Sequence, residues 1–238
     1  MTEISSTSAI SSTLMSPNIS GASYEEVISG VEKNMNVDEL RGDLRIEFIK
    51  GQAVKSWTAR MYFFAEGGVN WKVAKFYGSR ENGTVIRKIG EGFSQTNGGM
   101  PYFPLGSGAA EAGIFGTDYS FKDILEFTKL LSDYNRQEFR ATDGGYLVKM
   151  KSKPGGKPYY YSREMLVDRN GLYPKWIKVY GASGQLIKTF EFNRVQSFKG
   201  SNYPVEIVIT SGTRATKTRI SIGGLRDISR AETNEFKR

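Results

Sequence analysis

The sequence predicts a mainly β protein of the α+β class, in which amphipathic helices cover one antiparallel sheet. The strongest indication lies in residues 159–222, where strand-like segments are separated by turn signals such as Asn170-Gly171. Strands joined by short glycine-containing links form antiparallel hairpins rather than parallel units. Because side chains alternate between the two faces of a strand, one face of this sheet collects the apolar residues Val205, Ile207, Ile209, Ile220 and Ile222. An apolar face of this kind needs a cover.

A first helix is predicted over residues 24–35. Ser23 and Glu26 have the spacing of a capping box, in which the two side chains accept hydrogen bonds from free backbone N–H groups at the helix start. Apolar residues then recur at helical spacing, so we expect the helix to pack on an apolar surface. Residues 1–22 are rich in Ser and Thr and are predicted to form a flexible tail. They lack the basic start and apolar core of a secretory signal, which leaves two alternatives open: a cytoplasmic protein with a disordered tail, or an exported protein whose signal was removed.

A first set of strands is predicted to begin at Gly42. Apolar residues alternate with polar ones, and glycine-containing turns separate the segments. The predicted strands are residues 44–48, 57–65, 71–77 and 84–89. No linker divides this set from the later strands, so residues 23–238 are predicted to form a single domain.

A glycine-rich segment and a second helix are predicted between the two sets of strands. Asn97 to Gly108 is predicted to be an irregular loop over an edge or mouth of the sheet, acting either as a gate or as an ordinary surface loop. Ser120 and Asp123 form a second capping signal. An apolar stripe follows them, and it predicts an amphipathic helix over about residues 121–134.

The composition excludes several classes of site. The 238 residues contain no cysteine and no histidine. Disulfides, thiolate or histidine metal sites, and histidine-based catalytic triads are therefore excluded. The net charge of +8 favours acidic partners such as anionic lipid headgroups, although an even surface excess of Lys and Arg accounts for it equally well. No stretch reaches the roughly 18 apolar residues of a membrane-spanning helix.

The remaining motifs favour structural roles over catalytic ones. The glycine clusters are not followed directly by a helix, as a phosphate-binding loop requires. Asp118 and Asp123 are carboxylates of the kind that glycosidases use, but a position at a helix start explains them more simply. The basic and aromatic residues around Tyr159-Tyr160-Tyr161 are common in strands, so nucleic acid is not expected as a partner. We expect no enzyme, no cofactor and no metal site.

Five stretches of the sequence together resemble a known family. They are Trp57-Thr58-Ala59-Arg60-Met61, the block that runs from Phe115-Gly116-Thr117-Asp118-Tyr119-Ser120 to Ile124, the segment from Tyr160 through Ser162-Arg163-Glu164-Met165 to Asp168, Tyr173-Pro174, and Tyr180-Gly181-Ala182-Ser183-Gly184. In this order they are similar to the LolA-like outer-membrane lipoprotein-sorting proteins. The likeness is to the longer branch, which carries a Gly-Thr/Ser-Asp-Phe/Tyr-Ser block before its central helix. The resemblance covers residues 24–230.

The resemblance implies both a fold and a function. The fold is an unclosed half-barrel, a strongly curved antiparallel sheet covered by helices. The function is that of a non-catalytic periplasmic carrier, which shields acyl chains of lipoproteins or lipids during transfer towards the outer membrane. An inner-membrane transporter, an outer-membrane acceptor and a monomeric state are implied as well. The family's cargo-release contacts cannot be assigned in this sequence, so lipoprotein and free lipid both stay open as cargo.

The physical requirement for such a carrier is a dry cavity, because each exposed CH₂ group costs about 0.8 kcal/mol in water. The apolar side chains of the strands and of the second helix are the candidates for its lining. They are Leu44, Ile46, Phe48, Trp57, Met61, Phe63, Phe121, Ile124, Leu125, Leu131, Ile177, Val179, Phe190, Phe192, Val205, Ile207 and Ile209. The same residue types also pack an ordinary core. Three cations are candidates for contacting headgroups, with solvated surface as the simpler role: Arg60, Lys72 and Lys75.

A different class of function is also compatible with these features. A periplasmic regulatory or sensory module would use the same scaffold to bind a partner protein and would carry no cargo. The two hypotheses differ in whether the curved sheet encloses an empty apolar space. A hydrolase without histidine would need two facing carboxylates, and the sequence offers none at a recognisable spacing.

Overall fold

We describe the fold from a computed structural model of the chain. The structure describes residues 21–78, 81–90, 92–98, 100–120, 122–124, 127, 129–155 and 158–237. Most of the predicted tail, together with Phe121 and Leu125, lies outside the described residues, and so does the side chain of Ile124. None of the helices in the described ranges is both long enough and apolar enough to span a membrane.

Two meanders of strands make up most of the chain. The first contains β1 (Leu40–Lys50), β2 (Ala53–Glu66), β3 (Val69–Tyr77), β4 (Thr84–Ile89), β5 (Gly92–Asn97) and β6 (Phe103–Pro104). The second contains β7 (Tyr134–Thr142), β8 (Gly145–Ser152), β9 (Ser162–Val167), β10 (Pro174–Tyr180), β11 (Leu186–Phe198), β12 (Ser201–Ser211) and β13 (Thr216–Asp227). The strands predicted within residues 42–89 and 159–222 are therefore confirmed.

The two meanders join into one antiparallel sheet through the first and last strands. In β1 and β13, Leu44 lies opposite Ile222 and Ile46 opposite Ile220. The strand order is β6-β5-β4-β3-β2-β1-β13-β12-β11-β10-β9-β8-β7. Within the described ranges β6 and β7 are the two edges, and the sheet is not closed into a barrel. The predicted fold class, an unclosed curved sheet with few helices, is confirmed.

Helix α1 (Tyr24–Met35) forms as predicted, with the full capping box between Ser23 and Glu26. Its apolar side packs on the sheet, where Val27, Ile28 and Val31 are fully buried. Asn34 attaches the last turn of α1 to β12 and to the loop before β10. The Asn34 amide donates to the Gly171 and Leu172 carbonyls at 2.7 and 3.0 Å, and its oxygen accepts from the Asn202 N–H at 2.6 Å.

The predicted second helix over residues 121–134 is wrong. A short helix, α2 (Ser107–Glu111), precedes this stretch. The described part of the stretch contains a 3₁₀ turn (Lys122–Ile124) and the short helix α3 (Leu130–Asp133), and Tyr134 already belongs to β7. Contacts with distant residues explain the interruption. The Asp123 carboxylate is bound by Lys188 and Tyr160, while Glu32 of α1 accepts from the backbone N–H groups at the start of α3.

The glycine-rich segment is more regular than predicted. Asn97 ends β5, Phe103–Pro104 pair with β5 as β6, and α2 begins at Ser107. Helix α4 (Arg230–Asn234) was not predicted, although Ser229 and Glu232 form the same kind of capping box as Ser23 and Glu26. Beyond this helix, Phe236 covers Tyr62 and Phe64 on the convex face, so β2 is buried on both faces at this end.

Candidate functional site

An apolar hollow lies on the concave face of the sheet. Side chains from β1–β5 and β11–β13 converge on it. The stretch from β6 to β7, residues 105–133, we call the crossing segment, and its described part adds Ile114, Tyr119, Asp123 and Phe127 to the lining. The principal apolar lining residues are Met35, Leu44, Ile46, Met61, Phe63, Ala74, Phe76, Ile86, Phe93, Ile114, Tyr119, Phe127, Phe190, Phe192, Tyr203, Ile207, Ile220 and Ile222. One-sided convergence from eight strands requires a strongly curved sheet.

The hollow is narrow but real. Its volume is about 90 Å³ for the centres of water-sized spheres, and its empty space, including the open mouth, is about 980 Å³. By the first measure it has room for roughly six water molecules. By the same measure it is smaller than typical small-molecule sites, which have volumes of about 300–1,000 Å³. The interior is therefore not filled by the protein's own side chains.

The predicted lining residues fall into three groups. Those at the hollow are Leu44, Ile46, Met61, Phe63, Phe190, Phe192 and Ile207. Those buried in the adjoining core are Trp57, Ile177, Val179, Val205 and Ile209, with Phe48 and Leu131 partly buried against it. Phe121, Leu125 and the Ile124 side chain are not described. Contact between any of these residues and a ligand stays a prediction.

Several lining residues were missed by the sequence analysis. Ala74 and Phe76 alternate with Lys75 along β3, so strand periodicity carried a usable signal for that strand. Ile114 begins a short 3₁₀ turn (Ile114–Gly116), and Phe127 lies in a turn of the crossing segment. These two positions follow no helix or strand period, and only the folded chain reveals them.

Asp118 anchors the crossing segment to β13. Its carboxylate accepts hydrogen bonds from Arg214 at 2.8 Å, Thr216 at 2.9 Å and Thr218 at 3.3 Å. Its backbone N–H also donates to the Thr218 hydroxyl at 2.9 Å. Buried polar groups with this many partners hold a segment in one position. Asp118 is therefore a structural anchor rather than the helix-start residue that the sequence suggested.

Asp123 is a second anchor, at the wall of the hollow. It is fully buried and accepts from the Lys188 ammonium at 2.7 Å and from the Ser120 backbone N–H at 2.6 Å, as well as from the Tyr160 hydroxyl. The reciprocal bond from the Asp123 N–H to Ser120 Oγ confirms the predicted capping pair, although only a 3₁₀ turn follows it. In the described ranges no cluster of three Asp or Glu residues has the arrangement of a metal site.

The phenols at the hollow remain neutral. Burial raises the pKa of Tyr119, and the nearby Asp123 charge raises it further. Burial also raises the pKa of Tyr203. The aromatic rings therefore contribute apolar surface to the hollow, with hydroxyl groups that stay protonated at any physiological pH.

A polar pocket adjoins the hollow and shares lining residues with it. We call it the vestibule; its volume is about 490 Å³ for the centres of water-sized spheres. Its lining is Asn36, Val37, Asp38, Phe63, Gly68, Val69, Asn70, Trp71, Lys72, Lys88, Gly90 and Lys129. Phe63, Lys72 and Lys88 line both spaces, so they mark the boundary between them.

The charges at this boundary are partly shielded from water. Lys88 is only 8% exposed, and the Lys72 ammonium lies 5.2 Å from the centre of the Phe63 ring. Burial chiefly, and the charge of Lys88 secondly, lower the pKa of Lys72 to about 8, with Asp38 acting in the opposite direction. Lys72 lines the hollow, whereas the other two candidate cations do not. Arg60 pairs with Asp43, and Lys75 pairs with Glu235.

Comparisons with known proteins agree with this architecture. A family model described as "Uncharacterized protein" matches residues 105–232, which is more than half of the chain. A search among curated proteins found no match. The family model therefore identifies the family, and solved structures identify the fold.

Three solved structures have closely similar folds. A DUF1329 family protein from Desulfovibrio piger superposes with a TM-score of 0.73 at 16% identity, over 87% of this chain and 95% of that one. A putative outer membrane lipoprotein-sorting protein domain from Vibrio parahaemolyticus gives 0.72 at 15% identity, over 90% and 94%. A LolA superfamily protein from Nitrosomonas europaea gives 0.70 at 13% identity, over 92% and 99%. The chain therefore belongs to the family whose model spans residues 105–232, and its fold is LolA-like.

Proposed function

We propose that the protein binds the acyl chain of a lipid or lipoprotein in the hollow and carries it through the periplasm towards the outer membrane, without catalysis. The observation that supports this most directly is the open apolar hollow between the curved sheet and the crossing segment. A donor in the inner membrane and an acceptor in the outer membrane follow as partners. The names of two similar structures, a lipoprotein-sorting domain and a LolA superfamily protein, agree with the proposal.

The energetics of transfer match such a site. A chain of about fourteen carbons costs on the order of 10 kcal/mol when it is exposed to water. A dry hollow lined by aliphatic and aromatic side chains removes most of that cost and needs no chemical step. Met35 and Met61 line the hollow, and their unbranched side chains adapt readily to a ligand. We expect the narrow hollow to widen around a bound chain by rotation of such side chains.

A displacement assay tests the proposal. The purified protein, freed of lipid, is titrated with N-phenyl-1-naphthylamine, a neutral dye whose fluorescence rises in apolar surroundings, and the dye is then displaced with dodecanol. Ala74→Phe places a ring in the hollow from β3 and should abolish both signals. Ala141→Phe makes the same change at an exposed position of β7 and should leave both intact.

The outcomes separate the two classes of function. Saturable dye binding that dodecanol displaces, and that only Ala74→Phe removes, supports the carrier. Absence of binding by the folded wild-type protein, or equal binding by both variants, rejects it. That result would favour the regulatory module that binds a partner protein.

A further inference from the structure

Two tyrosine side chains bring hydroxyl groups to the mainly apolar wall of the hollow. Tyr119 comes from the crossing segment and Tyr203 from β12, and both line the hollow. Tyr203 is only 7% exposed, and Ile207, on the same face of β12, lines the hollow as well. Neither tyrosine is among the described residues that line the vestibule. The two hydroxyls therefore belong to the hollow itself and not to its boundary with the polar pocket.

Neither hydroxyl has a hydrogen-bond partner in the part of the chain that the structure describes. The hydrogen bonds of Tyr119 involve its backbone, which contacts the Thr117 hydroxyl and the Ile114 N–H. In the adjoining core, by contrast, the Tyr134 hydroxyl donates to the Tyr160 carbonyl at 2.8 Å, and the Tyr160 hydroxyl donates to Asp123. Buried tyrosine hydroxyls usually have such a partner. Tyr119 and Tyr203 are exceptions, and both occur where a ligand would lie.

A plain hydrocarbon chain is a poor complement to this part of the wall. It would remove water from the two hydroxyls and offer them no hydrogen bond, so the complex would carry the full cost of desolvating two polar groups. Small-molecule sites typically combine an apolar lining with a few polar groups that orient the ligand. A ligand with an oxygen atom at this position would recover the cost.

The electrostatics at this position favour a neutral oxygen over an anionic one. Burial chiefly, then the Asp123 charge and then Tyr203, raise the pKa of Tyr119, and burial raises the pKa of Tyr203. Both hydroxyls therefore stay protonated, and each can donate one hydrogen bond. The Asp123 charge that disfavours a phenolate at Tyr119 disfavours a bound carboxylate or phosphate beside it for the same reason.

Building on the proposed function, we propose that the acyl group enters the hollow together with its linkage carbonyl, an ester or an amide, and that Tyr119 and Tyr203 donate hydrogen bonds to the carbonyl oxygen. The surrounding apolar side chains hold the hydrocarbon. The two tyrosines are then specificity-determining residues, which select acyl groups over plain hydrocarbon. A site built to hydrogen-bond a polar group rejects an analogue that lacks this group, because the site's own polar atoms are left unpaired.

Removal of the two hydroxyls tests the inference. Diphenylhexatriene, a pure hydrocarbon whose fluorescence rises in apolar surroundings, is titrated directly and is then displaced with methyl dodecanoate or N-methyldodecanamide. In the double variant Tyr119→Phe/Tyr203→Phe, the Kd of the ester or the amide should rise about tenfold or more, because its hydrogen bonds are lost. The Kd of diphenylhexatriene should stay within about twofold or fall. The ligand whose Kd rises more identifies ester or amide as the preferred linkage.

Tyr24→Phe is the matched control. The Tyr24 hydroxyl is also buried without a hydrogen-bond partner, but Tyr24 packs against Phe139 and does not line the hollow. This substitution should change the Kd of none of the three ligands. The double variant should also unfold at a urea concentration no lower than the wild-type protein, because it loses no hydrogen bond between described residues. A clear fall would assign the two hydroxyls to the stability of the fold and overturn the inference.

The assay distinguishes failure of this inference from failure of the proposed function. If the wild-type protein binds none of the three ligands, the acyl-binding function itself is rejected. If it binds all three and the double variant changes their Kd values equally, the hollow binds chains without recognising a carbonyl group, and only this inference fails.

Infrared spectroscopy of the wild-type complex detects the hydrogen bond directly and does not depend on a variant. The stretching band of an isotope-labelled carbonyl lies at a lower frequency when its oxygen accepts a hydrogen bond than when its surroundings are apolar. The labelled carbonyl of whichever ligand binds more tightly should show the lower frequency in the hollow. A bound ligand that shows the frequency of a free carbonyl would overturn the inference.

Discussion

Lys188 of β11 donates a hydrogen bond to the Asp123 carboxylate at 2.7 Å, and this ion pair holds the crossing segment against β11. Asp123 is fully buried, and Lys188 is only 9% exposed. The same segment supplies Tyr119 and Phe127 to the wall of the hollow. The ion pair thus connects the stability of the fold with the shape of the candidate site.

Removing one member of this pair should destabilise the protein strongly. Lys188→Met leaves the Asp123 carboxylate buried without its cation, which typically costs about 3–5 kcal/mol in the free energy of unfolding. Urea denaturation at pH 7 measures the loss. The double variant Asp123→Asn/Lys188→Met removes both charges and should recover part of it. A loss below about 0.5 kcal/mol in the single variant would show that the pair does not hold the segment.

Gly113 should tolerate no side chain. A Cβ atom at this position would lie 1.6 Å from the Thr117 carbonyl oxygen, so Gly113→Ala must displace the turn that places Ile114 at the hollow. We expect a loss of more than about 2 kcal/mol in stability, together with weaker dye binding. Gly108→Ala, in α2 of the same segment, meets no atom within 4 Å and should leave both properties nearly unchanged. Equal effects of the two substitutions would contradict the close packing at Gly113.

Lys72 should reduce stability at neutral pH in a way that higher pH relieves. Its pKa in the folded protein is about 8, below its ordinary value of 10.5, chiefly because it is buried and secondly because Lys88 is charged. Below pH 8 both states are protonated and the penalty is complete. Between pH 8 and 10.5 the folded state releases the proton while the unfolded state keeps it, so stability gains with pH.

Lys72→Met removes this penalty at every pH. The variant should exceed the wild-type protein in free energy of unfolding at pH 7 by up to about 3 kcal/mol, less whatever solvent screening remains at the open vestibule. Its advantage should shrink towards about pH 10.5. Chemical denaturation of both proteins at the two pH values provides the comparison. A variant that is less stable than wild type at pH 7 would show that the Lys72 charge is well compensated.

The sheet was predictable because its signals are local. Alternation placed Val205 and Ile209 on one face, and both are buried. The two-residue turn Gly67-Gly68, with φ values of 57° and 77°, sets the pairing of β2 with β3 and therefore brings Phe63 opposite Lys72. The position of Lys72 beside the hollow could therefore be predicted from the sequence, because Lys72 and Phe76 are four positions apart on β3 and lie on the same face of the strand.

The crossing segment was not predictable because distant residues determine it. The apolar spacing after Ser120 indicated a long helix. In the structure, Lys188, 65 positions later, donates a hydrogen bond to Asp123, and Glu32 accepts a hydrogen bond from the Leu130 backbone N–H. No pattern within a window of the sequence reports such contacts. The pairing of Lys72 with Lys88 was not predictable either, because the connection between β3 and β4 is longer than a two-residue turn and does not fix their register.

Photolabelling tests the central claim, that the hollow receives a hydrocarbon chain, most directly. A fatty acid with a diazirine at the end of its chain is incubated with the protein, irradiated, and mapped by mass spectrometry of peptides. The account predicts adducts on residues at the inner part of the hollow, such as Phe76, Ile86 and Phe127, and their loss in Ala74→Phe. Adducts confined to the convex surface, or labelling that Ala74→Phe leaves unchanged, would contradict it.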